Sequence, residues 1–149
     1  MKDIPKGGFL IGIIQRVSGR IFNKKLKKYN IDLNSAQGRI MFVLWQYENG
    51  ISFKELAEKA SMGKSTLSSV LGGLEKAGHL YREQVKGNRK KTLVKLTKKN
   101  KMLQEKYKQV SDEMNELFYR GFKNSEITEF EDYLTRLVKN LTEYEKVDR

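Results

Sequence analysis

The chain has 149 residues, 30 Lys and Arg against 18 Asp and Glu, a formal charge of +12 and no cysteine. That length suits one compact domain and excludes two large ones, and the cationic excess favours a polyanionic partner. Without cysteine there can be no disulfide, thiol redox sensor or thiolate-held zinc. With His79 as the single histidine, no transition-metal site of ordinary composition can be assembled.

From Phe9 to Tyr29 the apolar positions Leu10, Ile14, Val17, Ile21 and Phe22 recur at helical spacing, with Arg16, Arg20, Lys24 and Lys25 on other faces. This predicts a long first helix. Its opening apolar run, Phe9 to Ile14, meets Gln15-Arg16 too soon to span a membrane and lacks a small-residue cleavage site, so a cytoplasmic location is expected. Asn34 or Ser35 caps a second helix that carries Ile40, Met41, Val43, Leu44 and Trp45 inward and ends near Asn49-Gly50. Around Ser35 and Gln37 its N-terminus favours a phosphate.

Ser52-Phe53-Lys54-Glu55 has the S-x-x-E spacing of a capping box, in which the hydroxyl and the carboxylate fill free backbone N–H groups reciprocally. Leu56, Ala57 and Ala60 give the third helix a small inward face. After Ser61-Met62-Gly63, the residues Leu67, Val70, Leu71 and Leu74 mark a fourth helix, closed by Gly78. Two short helices with so brief a link predict a helix-turn-helix, whose second helix enters the major groove.

The period then changes from helical to alternating. Leu80 to Val85 and Thr92 to Leu96 read as two strands, joined by Lys86-Gly87-Asn88-Arg89-Lys90-Lys91, a Gly-Asn turn signal with four cations. A basic hairpin directly after a recognition helix is a wing. From Lys86 to Lys101 there are 8 Lys or Arg and no acid, whereas Glu126 to Arg149 has 7 acids and 4 bases, so the positive charge gathers at the wing.

Beyond it, Leu103, Tyr107, Val110, Met114 and Leu117 form one heptad seam, and Ile127, Phe130, Leu134, Leu137, Leu141 and Tyr144 another. A break at Gly121 to Asn124 separates them, with Asn124 or Ser125 capping the last helix. Such long apolar seams predict dimerisation by the first and last helices; the alternative is a three-helix bundle within one chain. The expected class is mainly α with a small β-hairpin wing: a winged helix-turn-helix at 34–97, with dimerisation helices at 1–33 and 98–149.

The run ELAEKASMGKSTLSSVLGGLEKAGHLYREQ and the NRKKTLVKLT that closes the wing resemble the winged helix of the MarR-type (multiple antibiotic resistance regulator) family. The resemblance extends over the flanking helices. It implies a homodimer that binds short pseudo-palindromic operators in double-stranded DNA and is often released by a small ligand. The sequence departs from the family at Asn88-Arg89-Lys90, where Asp-x-Arg is usual, and at Ser69 and Gly73, where relatives often carry arginine.

On this reading Ser65, Thr66, Ser68 and Ser69 face base edges with Lys64 beside them. Asn88, Arg89, Lys90 and Lys91 reach the flanking minor groove or its phosphates, and Arg82 supports the base of the wing. The family's effector pocket lies between the dimer helices and the DNA-binding motif; here it would involve Arg16, Met41, Phe42 and Trp45 and take a small aromatic or amphipathic molecule, although the default role of such aromatics is core. No enzyme is expected: Gly63-Lys64-Ser65-Thr66 mimics the end of a P-loop, but Glu58 occupies the first glycine position. No cofactor or metal is expected either. The competing reading is a winged helix that binds nucleic acid without sequence preference, or an architectural or protein-interaction module; a recognition helix poor in arginine favours it.

Overall fold

The computed structural model describes residues 3–148, without the side chains of Arg89, Lys90 and Lys101. The chain divides into two compact units, the first running to Ser111 and the second beginning at Asp112. In order the elements are α1 (Gly7–Lys28), α2 (Ser35–Leu44), β1 (Ile51–Ser52), α3 (Phe53–Ala60), α4 (Lys64–Lys76), β2 (Leu80–Val85), β3 (Asn88–Leu96), α5 (Asn100–Phe118) and α6 (Asn124–Val147).

The caps show which polar groups start each helix. At α2 the box is complete: the Asn34 carboxamide accepts from Gln37 N–H at 2.8 Å, and Gln37 Oε1 accepts from Asn34 N–H at 3.0 Å. At α3 the serine half of the expected box forms, with Ser52 Oγ accepting from Glu55 N–H at 3.2 Å. For α6 the N-cap is Lys123, not Asn124 or Ser125, because the Glu126 carboxylate reaches back to the Lys123 N–H at 2.9 Å. Helix α2 stops at Leu44, short of Asn49-Gly50; Gln46 and Tyr47 turn out of it with tighter bonds to Val43 and Leu44.

The sheet has three antiparallel strands in the order β1-β3-β2. The two-residue β1, too short to carry a periodicity signal, pairs Ile51 with Val94 and Ser52 with Leu93. It thereby ties the start of α3 to the wing.

In the first unit the core lies between α2, α3, α4 and the sheet. Ile40, Met41, Leu56, Leu67, Leu71, Leu74 and Val94 are sealed completely. Tyr107 of α5 closes one side, its ring 4.6 Å from Trp45 and edge-on to Phe22 at 5.7 Å. Gly38 makes room for it: a Cβ there would stand 2.8 Å from the Tyr107 hydroxyl. Burial pushes the Tyr107 phenol up to about 12.

The predicted seam of α1 leaves Leu10, Ile14 and Val17 exposed. In the second unit no residue of α6 is buried, and Leu137, Val138, Leu141 and Tyr144 are exposed along it. Among the described residues no helix is long and apolar enough to cross a membrane.

Candidate nucleic-acid interface

The link between α3 and α4 is set by a left-handed Ser61 (φ 52°), after which the Met62 N–H returns to Ala57 O at 2.9 Å. Gly63 then starts α4. Because Leu67, Leu71 and Leu74 point fully inward, helical phase leaves the other face open, and Lys64, Ser65, Thr66, Ser68 and Ser69 are all exposed. Gly72 and Gly73 continue that outward face. Neither has a steric reason among the described residues: a Cβ at Gly72 would meet none of their atoms within 4 Å, and one at Gly73 only the Gln37 Nε2 at 3.5 Å.

That contact places the N-terminus of α2 beside α4. Gln37 commits its Oε1 to the Asn34 N–H, so its amide nitrogen is the end that faces Gly73. Ser35 is exposed next to it and donates to Asn23 Oδ1 at 3.5 Å.

The wing departs from its expected form in one respect. The turn is Lys86-Gly87, with Gly87 at φ +86°, and Asn88 is already in β3 opposite Val85. Glycine takes the left-handed position at little cost, which frees Asn88 to pair. The next pair is Gln84 with Thr92, so Arg89, Lys90 and Lys91 fall between consecutive rungs of the ladder. The side chains of Arg89 and Lys90, both expected at the DNA, lie outside the described residues. Lys91 is exposed.

Where the wing meets the helix starts, a groove of about 580 Å³ opens between Ser52, Phe53 and Lys54 of the α3 start, Lys64 of α4, and Arg82, Asn88, Lys91 and Thr92 of the hairpin. Among the described residues, four cations from four elements thus line one groove. The Arg82 guanidinium sits 3.4 Å from Glu75, both partly exposed, which braces the hairpin base against α4 and offsets part of its charge. Lys95, outside this lining, pairs with Glu83 at 3.2 Å, and among the described residues the lysines of the groove are Lys54, Lys64 and Lys91. A concave site with lysines, an arginine and hydroxyls is suited to a phosphodiester backbone. Lys54 was not among the residues singled out from the sequence. It comes to the site only through the β1–β3 pairing, which no local pattern announces.

The four residues considered for an effector pocket have different surroundings. Met41 is fully buried, Phe42 is 53% exposed, and Arg16 is exposed on α1. Trp45 is half-buried, held by Tyr107 and by a hydrogen bond from its Nε1 to Asn100 Oδ1 at 2.6 Å. Among the described residues no group of three acidic or histidine side chains could hold a metal ion.

Residues 33–92, from the loop before α2 through most of β3, match the model of the MarR family. They form a MarR-family domain. The flanking helices agree as well. The transcriptional regulator SlyA superimposes with a TM-score of 0.82 at 25% identity, over 97% of this chain and 100% of that one. NadR in complex with 4-hydroxyphenylacetate gives 0.76 at 24% identity over 93% and 96%. A mutant of MarR from E. coli, complexed with operator DNA, gives 0.76 at 22% over 87% and 91%. No curated protein sequence matches the chain. The MarR family is one of transcriptional regulators and not of enzymes.

Proposed function

We propose that this chain is a sequence-specific, double-stranded DNA-binding transcriptional regulator that acts as a homodimeric repressor and is released by a small-molecule effector. The observation that carries the reading is the open hydroxyl face of α4 set beside a cationic groove between α3, α4 and the wing. Ser65, Thr66, Ser68 and Ser69 read base edges in the major groove. Lys54, Lys64 and Lys91, with Arg82 behind them, hold the phosphates that fix register. Arg89 and Lys90 of the wing belong to the same phosphate or minor-groove contact, and Ser35 and Gln37 supply a further phosphate contact at the start of α2.

The uncovered apolar faces of α1 and α6 support pairing with a second copy. Two recognition helices would then meet half-sites one helical turn apart, ~34 Å. An effector acts by changing that spacing. The operator complex of E. coli MarR and the aromatic acid bound to NadR support DNA and a small aromatic effector as the partners, and the protein works in the cytoplasm.

Fluorescence anisotropy with the DNA upstream of its own gene and a scrambled duplex, over a salt series, tests the reading. A preference of roughly a thousandfold that persists at physiological salt supports it. Equal and steeply salt-dependent binding to both duplexes would replace it with a nonspecific winged-helix module, the reading favoured by a recognition helix that carries Gly72-Gly73 and no arginine.

A further inference from the structure

The exit of α4 is tied to the start of α5 by a small polar network. Thr97 Oγ1 donates to Gly78 O at 2.6 Å and Lys99 Nζ to Ala77 O at 3.3 Å. The His79 N–H donates to Leu74 O at 3.0 Å, and His79 O accepts from Thr97 N–H at 3.1 Å. The side chains add a second tie that includes α2. Trp45 Nε1 donates to Asn100 Oδ1 at 2.6 Å, and Asn100 Nδ2 lies 3.4 Å from His79 Nδ1. Asn100 is only 2% exposed, so a polar atom left unfilled there keeps its full desolvation penalty.

The donor inventory fixes the direction of this chain. An indole N–H can only donate, so the Asn100 oxygen must face Trp45 and its NH₂ must face His79. That NH₂ needs a lone pair opposite it. His79 must therefore be neutral, with its proton on Nε2 and Nδ1 bare. Protonating Nδ1 sets two donors against each other. Rotating the Asn100 amide would give the imidazolium an oxygen but would turn NH₂ toward the Trp45 N–H. In either arrangement one donor loses its partner.

We propose that Asn100 is a positioning residue that locks the exit of the recognition helix to α2 and α5 only while His79 is neutral, so that mild acidification loosens α4 and weakens DNA binding. The DNA half of this statement rests on the proposed function; the junction itself does not.

The surroundings set the direction of the titration. Burial pushes His79 below the ordinary histidine value, Lys99 from the turn before α5 adds to this, and Asp32 from the loop after α1 opposes it. Asn100 of α5, which faces Nδ1, and Trp45 at the end of α2, which holds Asn100, carry no charge. A folded-state value below the unfolded ~6.5 means that the junction has its full strength above about pH 6.5 and loses it as the pH falls through the folded-state value.

One histidine and one tryptophan make the test direct. Nitrogen-15 NMR of the intact chain should show His79 as the Nε2–H tautomer, titrating below 6.5, with the Trp45 indole N–H shifting in the same pH range. An Nδ1–H tautomer, or an indole that ignores the titration, would overturn the proposal. Asn100→Asp keeps an acceptor for Trp45 and gives the imidazolium a carboxylate, so it should raise the His79 value above that of the parent chain; a value unchanged or lowered would also overturn it. In DNA titrations the affinity of the parent chain should fall about 2- to 10-fold between about pH 7.5 and pH 5.5 beyond any change seen in His79→Gln, the range expected for one buried hydrogen bond. Equal pH dependence in the two proteins would overturn the DNA half. If no duplex is preferred at any pH, the proposed function fails, and the tautomer and the Asn100→Asp shift still decide the junction.

Discussion

Replacing Gly72 with alanine isolates the intrinsic cost that α4 bears on its outward face. The position is interior to a 13-residue helix, and the added methyl would meet nothing within 4 Å, so the expected change is the bare difference in helix propensity, about 1 kcal/mol of stabilisation. Gly73→Ala should give a similar gain, since among the described residues its methyl would meet only the movable end of Gln37 at 3.5 Å. For a chain of this size each gain corresponds to a rise in Tm of roughly 2–4 °C. Gly38→Ala is the internal control. There the methyl would stand 2.8 Å from the hydroxyl of a Tyr107 that is only 7% exposed, and an overpacking cost of ~1–3 kcal/mol exceeds the propensity gain. One substitution type should thus move stability in opposite directions at two helical glycines of the same unit. Urea unfolding followed by far-ultraviolet circular dichroism, at one fixed protein concentration, reads all three variants. A Gly72→Ala midpoint that stays level or falls would refute the reasoning. In DNA titrations the Gly72→Ala/Gly73→Ala double variant should bind its operator severalfold more weakly despite its greater stability, because two methyls intrude on the face offered to the groove.

Lys64→Ala and Lys91→Ala should each weaken binding to all duplexes and lower the slope of log affinity against log salt by about 1, whereas Ser65→Ala or Thr66→Ala should alter sequence preference more than overall affinity; an unchanged slope in both lysine variants would remove the groove from the DNA contact. Leu141→Lys, on the uncovered face of α6, should lower the dimer fraction in sedimentation without loss of helix content, and a chain that stays equally dimeric would place the interface elsewhere. Burial raises the Tyr107 value to about 12, above the unfolded ~10. Stability should therefore be intact below about pH 10 and fall as the pH rises toward 12, and Tyr107→Phe should flatten that part of the curve.

The legible parts of this protein were those whose signal lies within a few residues. Leu67, Leu71 and Leu74 set the phase of α4, and with it the exposure of Ser65, Thr66, Ser68 and Ser69, because helical geometry repeats regularly. Asn34, Ser52 and Gly78 marked helix ends through local backbone chemistry. Where two local signals competed, the sequence could mislead: Gly87 and Asn88 both suit a turn, and only pairing with Val85 placed Asn88 in the strand. At the start of α6, Glu126 bonding back to Lys123 outweighed the nominally better caps Asn124 and Ser125.

What tertiary structure alone decided are the associations between distant residues. The β1–β3 pairing brings Lys54 to Lys64, Arg82 and Lys91. Gly38 looks like any helical glycine until Tyr107 fills the space above it. Asn100 reads as one more polar residue in a lysine-rich stretch, yet it is sealed between Trp45, 55 positions away, and His79, 21 positions away. Periodicity and capping are short-range and can be read along the chain. Which side chains share a groove or a hydrogen-bond chain depends on strand register and helix packing, and these form only when the core closes.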